Sequence, residues 1–337
     1  MTLPQIDDPS TRSLQLDMPE DENQWVLPPI KNCLFLTGPT SSGKTQLAIE
    51  LAQRLGADIF SLDSMAIYRG MNIGTAKPSP EQRALVPHHL LDIVEPTESF
   101  SVSSYVTKAH EIAADVLASG RRVLFCGGTP LYLKSLLRGL FLGPEADWEF
   151  RDSVEKDIEK YGEDAFRERL MQVDPLLAHK LHPHDHRRAI RALEVARITG
   201  RPLSHWQQQF ETPSRNCSVA VLQLDRSWLH QRINSRVDAM LAEGLMDEVK
   251  QLQADYTDLG RTARQAVGYR EVLEHFEGGT TIDEMTELIK AHTRQFARRQ
   301  EIWFRGLSEL KGIEVTPEST TDQLSDLVMD IFQSTDP

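Results

Sequence analysis

Apolar residues in this 337-residue chain follow two rhythms, and its N-terminal part shows both. Cys33-Leu34-Phe35-Leu36 is a short continuous run suited to a buried strand, ended by a glycine-rich turn from Gly38. Leu47, Leu51 and Leu55 follow at i, i+4 and i+8 and predict a helix that stops before Gly56. Asp58-Ile59-Phe60-Ser61-Leu62 predicts a second strand, ending at Asp63. Arg122-Val123-Leu124-Phe125-Cys126 predicts another, running into Gly127-Gly128-Thr129. Val219-Ala220-Val221-Leu222-Gln223-Leu224 predicts a return to the sheet, followed by helices to about Arg305. Strands alternating with helices imply a parallel sheet whose ligands bind beyond the carboxyl ends of the strands. Lys44, Asp63 and Thr129 all lie just past such ends. Residues 146–209 break the pattern, reading as helical and highly charged with no good strand.

Composition narrows the class. With 40% hydrophobic and 26% charged residues the chain is an ordinary globular one, and its length suggests about two domains. No stretch approaches the ~18 uninterrupted apolar residues that span a bilayer, so no membrane association is expected. The N-terminus lacks the basic and apolar regions of a secretory signal. Cys33, Cys126 and Cys217 are far apart and match no metal-ligand spacing, which fits buried reduced thiols in a cytoplasmic setting. Lys and Arg number 37 against 50 Asp and Glu, a net charge of −13 that, taken whole, argues against a partner as acidic as nucleic acid. The distribution reverses that argument. Residues 1–30 hold six acids and one base, residues 307–337 seven acids and one base, which leaves −2 for residues 31–306. The first segment predicts a disordered acidic extension and the last an acidic C-terminal tail.

Gly38-Pro39-Thr40-Ser41-Ser42-Gly43-Lys44-Thr45 fits G-x-x-x-x-G-K-[ST] in full, with the required strand before it and helix after it. Its backbone amides curl around a phosphate at a helix N-terminus, Lys44 supplies a point charge, and the Thr45 hydroxyl suits Mg²⁺. The expected fold is therefore an α/β P-loop NTPase-like core with a parallel sheet, residues 31–145 and 210–306, interrupted by a helical insertion at 146–209. P-loop kinases and ATPases also place an Asp at the end of an apolar strand to hold Mg²⁺. Here the clearest such strand ends in Gly127-Gly128-Thr129, and Leu90-Leu91-Asp92 is flanked by Pro87 and Pro96. The loop thus suits a diphosphate that leaves as well as a phosphoryl group that is transferred. Asp63 reads as a strand-end cap, a magnesium ligand or a general base beside the phosphate site. Thr129 reads as a turn residue or as a hydroxyl facing a ligand.

Three basic clusters bear on the charge question. Asp185 caps a predicted helix carrying Arg187, Arg188, Arg191 and Arg197. Thr281-Ile282-Asp283-Glu284 is a capping box opening a long helix with an apolar face of Met285, Leu288, Ile289, Phe296 and Trp303. On that helix Lys290, Arg294 and Arg298 form one stripe, which fits either a polyanion opposite or a solvated face. Arg232 and Arg236, at i and i+4, suit either a diphosphate or the surface. His179, His182, His184 and His186 cluster but match no recognised metal-ligand pattern.

Taken together these stretches resemble the bacterial-type tRNA dimethylallyltransferase (IPP transferase) family over roughly residues 31–306. The resemblance rests on the phosphate loop, Asp63-Ser64-Met65, Gly74-Thr75-Ala76-Lys77-Pro78, Pro87-His88-His89-Leu90-Leu91-Asp92 and Gly127-Gly128-Thr129-Pro130-Leu131-Tyr132. It continues through His182-Pro183-His184-Asp185, Arg188, Arg191-Ala192-Leu193-Glu194, Val267-Gly268-Tyr269 and Thr293-Arg294-Gln295 with Arg298-Arg299-Gln300. It implies transfer of a dimethylallyl group from dimethylallyl diphosphate to the exocyclic amine of the adenosine 3′ of the anticodon, with a tRNA anticodon stem-loop as partner, Mg²⁺ as cofactor and a monomeric enzyme. By the resemblance Asp63 is the general base, Lys44, Thr45 and Arg236 hold the diphosphate with Mg²⁺, and Thr129 lines the site. Asp63, Ser64, Met65, Ala66 and Thr129 are also implied to bind tRNA. Arg151, Arg187, Arg188, Arg191, Gln265, Gly268, Tyr269, Arg270, Arg294 and Arg298 fall in tRNA-contacting regions. The family usually has Gln where this chain has Ala66, and no Cys/His pair follows residue 306. The alternatives are a P-loop kinase of a small molecule or nucleotide, prenylation of free adenine nucleotides, and a nucleotide-gated RNA-binding protein.

Overall fold

A computed structural model of the chain describes residues 25–214 and 217–334. Six strands form one parallel sheet: β1 Cys33–Thr37, β2 Ala57–Ser61, β3 His88–His89, β4 Arg122–Gly127, β5 Ser218–Leu224 and β6 Leu310–Val315. Their spatial order is β3-β2-β4-β1-β5-β6. The central β1 runs beside β4, with Phe35 opposite Phe125, and beside β5, with Phe35 opposite Val219. Strands buried on both faces should read as continuous apolar runs, and β1, β4 and β5 do. The sequence-predicted strands appear within a residue or two of their expected ends. The short β3 lies at the sheet edge, where the preceding Pro87 deprives no ladder of a donor.

The predicted helix after the phosphate loop spans Lys44–Leu55 and ends at Gly56 in left-handed backbone. It packs through Leu47, Ala48 and Leu51 on one face of the sheet. The helices Arg226–Ala242 and Ile282–Arg305 follow β5, the latter opened by the capping box of Thr281 and Glu284. Its buried face is Met285, Ile289, Ala297, Gln300 and Phe304, whereas Trp303 is exposed. No described helix is long and apolar enough to cross a membrane.

Residues 307–334 are not a tail. Leu310–Val315 completes the sheet beside β5, and the helix Thr321–Gln333 sends Leu324, Val328 and Phe332 into the same core as Leu47 and Leu51. The acidic residues that suggested a solvated end have structural partners. Asp322 and Asp326 pair with Arg54, and Glu309 makes a buried pair with Arg138 at 2.7 Å. The disorder expected for residues 1–30 falls almost wholly outside the described residues.

The chain divides into two compact units, one comprising Pro28–Leu140 with 212–334 and the other Phe141–Glu211 with 25–27. The second is helical, as its sequence predicts. Its longest helix, Trp148–Val173, is broken at Gly162, which takes φ 86° and ψ 168°. The helix His186–Thr199 is capped by Asp185 and stops at Gly200. Leu170, Ile190, Leu193 and Trp206 belong to its separate core.

Candidate active site

The phosphate loop, the strand ends and two later helices surround a cavity of about 700 Å³. Its wall takes in Thr40 to Thr45 of the loop, Asp63 just past β2, Gly127 and Gly128 at the end of β4, and Arg232, Arg236 and Gln300 from the later helices. Lys44 folds back over its own loop, donating to the Gly38 carbonyl at 2.9 Å, the Pro39 carbonyl at 2.6 Å and the Ser42 hydroxyl at 3.2 Å. Burial pulls its pKa down to about 8, with the Arg236 charge acting in the same direction. Arg232 Nε donates to the Ser41 carbonyl at 2.7 Å, and Arg236 reaches the Thr40 hydroxyl at 3.4 Å. Both arginines therefore stand at the phosphate loop and not on an outer surface. Burial also lowers the pKa of Arg236, and the Asp63 carboxylate offsets part of that effect.

Asp63 closes a tight turn after β2. Its Oδ1 accepts from Met65 N at 2.8 Å and Ala66 N at 3.2 Å, which fixes the carboxylate's direction. Its other oxygen takes no hydrogen bond among the described residues. Thr129 Oγ1 accepts from Ser64 N at 3.0 Å, so the hydroxyl ties the two strand-end loops together and keeps its proton to donate. The glycines before it are there for space. A Cβ on Gly127 would lie 2.3 Å from the Leu62 carbonyl oxygen, and one on Gly128 2.5 Å from Gln300 Nε2.

Two contributors had no role assigned to them from the sequence, although Gln300 lies in the Arg298-Arg299-Gln300 stretch of the family resemblance. Gln300, almost wholly buried, accepts from Thr40 N at 2.8 Å and donates to the Gly128 carbonyl at 2.6 Å, joining the phosphate loop to the end of β4. Glu248 accepts from the backbone of Asn72, Ile73 and Gly74 and from Tyr269 OH at 2.6 Å. It thereby fixes the Gly74–Pro78 segment, of which Thr75 to Pro78 line the cavity. Asp92 carries no strand-end role; it pairs with Lys77 at 2.6 Å and Arg83 at 2.7 Å.

The arginines separate into two kinds. In the helical unit Arg187 and Arg188 are exposed, Arg188 with only a 3.3 Å pair to Asp185. Arg151 and Arg191 instead both pair with Glu194, whose side chain is fully buried. In the larger unit Gln265 and Arg298 are exposed, and Arg294 donates to Asn234 Oδ1 at 2.6 Å. Lys290, first of the predicted stripe, pairs with Asp238 at 2.8 Å, so part of that stripe is neutralised by the neighbouring helix. Arg270 pairs with buried Glu271, and Gly268 and Tyr269 lie in the core.

A family model described as IPP transferase matches residues 66–307, and one described as isopentenyl transferase matches residues 31–88. The chain belongs to the IPP transferase family. Among relatives of this IPP transferase family member, a tRNA dimethylallyltransferase of Rhodopirellula baltica is 48% identical over 305 residues, covering 88% of this chain and 91% of the relative. One of Geobacter sulfurreducens is 42% identical over 303 residues, covering 89% and 96%. A full-length tRNA isopentenylpyrophosphate transferase of Bacillus halodurans has a similar structure, with TM-score 0.65, 35% identity and coverage of 90% and 98%. A eukaryotic dimethylallyltransferase described as acting on tRNA superposes with TM-score 0.75 at 26% identity, covering 90% and 80%.

Proposed function

We propose that the chain transfers a dimethylallyl group from dimethylallyl diphosphate to the exocyclic amine of the adenosine 3′ of the anticodon in tRNA, releasing diphosphate. One observation carries the choice of reaction. A phosphate loop backed by Lys44, Arg232 and Arg236 shares its cavity with Asp63, while β4 ends in Gly127-Gly128-Thr129 where a kinase needs an Asp. The names of the relatives support the same substrate class.

In this reaction the allylic C–O bond breaks with its electron pair passing to the diphosphate, and the adenosine nitrogen forms the new C–N bond. Lys44 and Arg236 stabilise the charge gathering on the leaving group. Asp63, held by Met65 N and Ala66 N, accepts the amine proton. Thr129, which does not itself line the cavity, holds the Asp63–Ser64 turn through its bond from Ser64 N. Mg²⁺ is part of the proposal: the Thr45 hydroxyl fits it, being exposed in the first helical turn on the cavity wall without a hydrogen-bond partner among the described residues. Bound to the diphosphate, the ion would add to leaving-group stabilisation. Exposed Arg187, Arg188, Arg298 and Gln265 are the contacts proposed for the RNA backbone, and a base flipped from the anticodon loop fits an amine otherwise stacked. One chain supplies every group named, so a monomer suffices.

The test offers purified protein, Mg²⁺ and labelled dimethylallyl diphosphate with tRNA, AMP or neither. Label in tRNA alone is expected. Label in AMP but not tRNA would sink the RNA assignment, and phosphate transfer from ATP would restore the kinase.

A further inference from the structure

Within the helical unit three metal-ligating side chains converge far along the chain from the phosphate loop. Glu163 follows Gly162, the residue at which the helix Trp148–Val173 breaks. His184 and His186 flank Asp185, the cap of the arginine-bearing helix His186–Thr199. His184 Nδ1 lies 3.2 Å from Glu163 Oε2, and His186 Nε2 lies 3.4 Å from Glu163 Oε1. One donor atom from each of the three lies within 4.8 Å of the others.

Two features separate this cluster from an ordinary surface ion pair. The His186 nitrogen is shielded from solvent and, although close to the carboxylate, makes no hydrogen bond. Its ring is steadied edge-on by buried Phe166, with centroids 5.8 Å apart. The spacing also fits a shared ion. Two metal–donor bonds of about 2.0–2.1 Å meeting at a tetrahedral angle place their donors about 3.3 Å apart. Each histidine nitrogen stands near that distance from a different oxygen of the Glu163 carboxylate, which places the candidate ion in front of both oxygens. Two imidazoles with one carboxylate select a borderline divalent ion over Mg²⁺, and leave a fourth position for water.

We propose that Glu163, His184 and His186 bind a Zn²⁺-type transition-metal ion. The ion bridges the helix break to the start of the helix carrying Arg187 and Arg188, and so fixes how those two arginines are presented. The positive end of that helix and the two arginines oppose a cation, while Glu163 and Asp185 favour it. Binding is therefore weaker than at a closed four-ligand structural site, and exchangeable. Sequence spacing did not show the site because its carboxylate comes from another helix, 21 residues before the first histidine.

Metal-stripped full-length protein is titrated at pH 7.5 with Co²⁺, read by visible absorption, and with Zn²⁺, read by calorimetry. The expectation is one Co²⁺ site with the absorption of four- or five-coordinate ion, displaced by Zn²⁺. Zn²⁺ affinity should fall at least tenfold in Glu163→Gln and in His186→Asn. It should be unchanged in His179→Asn, an exposed histidine of the preceding helix. Far-UV circular dichroism checks each variant's fold, and should His186→Asn misfold, Glu163→Gln carries the test because its side chain is about half exposed. Absence of Co²⁺ absorption, or affinity retained in Glu163→Gln, overturns the proposal and leaves a surface His–Glu contact.

Discussion

Lys44 sits in a loop that has closed on its own cation, and this makes diphosphate binding pH-dependent in a defined direction. Burial holds the ammonium near a pKa of 8, and an arriving diphosphate replaces three neutral acceptors with anionic oxygens that favour the charged form. Below pH 8 the charge is already present and affinity should be flat. Above it, binding must take up a proton, so affinity should fall by up to about tenfold per pH unit. Calorimetry in buffers of different ionisation heat would register that proton, and Lys44→Met should abolish both proton uptake and slope. Asp63→Asn is the sharper test of the base. Its amide oxygen still accepts from Met65 N and Ala66 N, so the turn survives while basicity is lost. Turnover should drop about 10²–10⁴-fold with little change in diphosphate affinity; unchanged turnover would remove Asp63 as the base. The loop, Asp63 and Thr129 were legible because strand, turn and helix follow one another within a few residues. The role of Gln300 was not, although the family resemblance included it, since its contact with Thr40 spans 260 residues and a glutamine on a helix carries no pattern of its own. Gln300→Glu keeps the acceptor for Thr40 but turns a second acceptor toward the Gly128 carbonyl. It should raise KM for the diphosphate more than it lowers the melting temperature.

At the level of elements, the arginine helix His186–Thr199 performs two tasks, one with the exposed arginines of its first turn and one with Arg191 at buried Glu194. Arg191 and, from the preceding long helix, Arg151 neutralise buried Glu194, whose pKa burial would raise but whose hydrogen bonds from the two arginines hold it below the usual carboxylate value. A carboxylate so depressed contributes stability above its unfolded pKa, and that stability is lost as pH falls through the folded one. Arg191→Ala leaves Glu194 with one partner and should destabilise the unit by about 1–3 kcal/mol, read by thermal unfolding. Arg187→Ala should leave unfolding unchanged and flatten the salt dependence of tRNA binding by about 0.7–0.9 in log–log slope per lost phosphate contact. An unchanged slope would place Arg187 off the interface. The family resemblance placed Arg187, Arg188 and Arg191 together in a tRNA-contacting region. Which of these arginines are free to bind tRNA depends on Glu194, whose role in the sequence is indistinguishable from that of an i, i+3 surface partner.

For the whole molecule, the decisive difference between sequence and structure is the C-terminal segment. Its seven acids suggested a solvated end, yet Leu324, Val328 and Phe332 stand at i, i+4 and i+8, a helical stripe outweighed in the reading by charge. The strand Leu310–Val315 gave a weaker signal, because an edge strand needs only one buried row and tolerates Lys311 and Glu314. Truncation after Glu309 distinguishes tail from core, since it keeps the buried pair with Arg138. It removes five buried apolar side chains, Ile313, Val315, Leu324, Val328 and Phe332, and strips cover from Leu47 and Leu51. At about 1.5–3 kcal/mol for each buried side chain, the loss is on the order of 10 kcal/mol. That equals the net stability of an ordinary domain, about 5–15 kcal/mol. The shortened chain should therefore fail to fold, appearing as aggregated protein or as one with no cooperative melting transition. A charged tail would have come away with the melting temperature intact. The acidity of this segment thus serves the surface of a core helix, with Asp322 and Asp326 placed to meet Arg54, and the −13 of the whole chain no longer opposes RNA binding by arginines elsewhere.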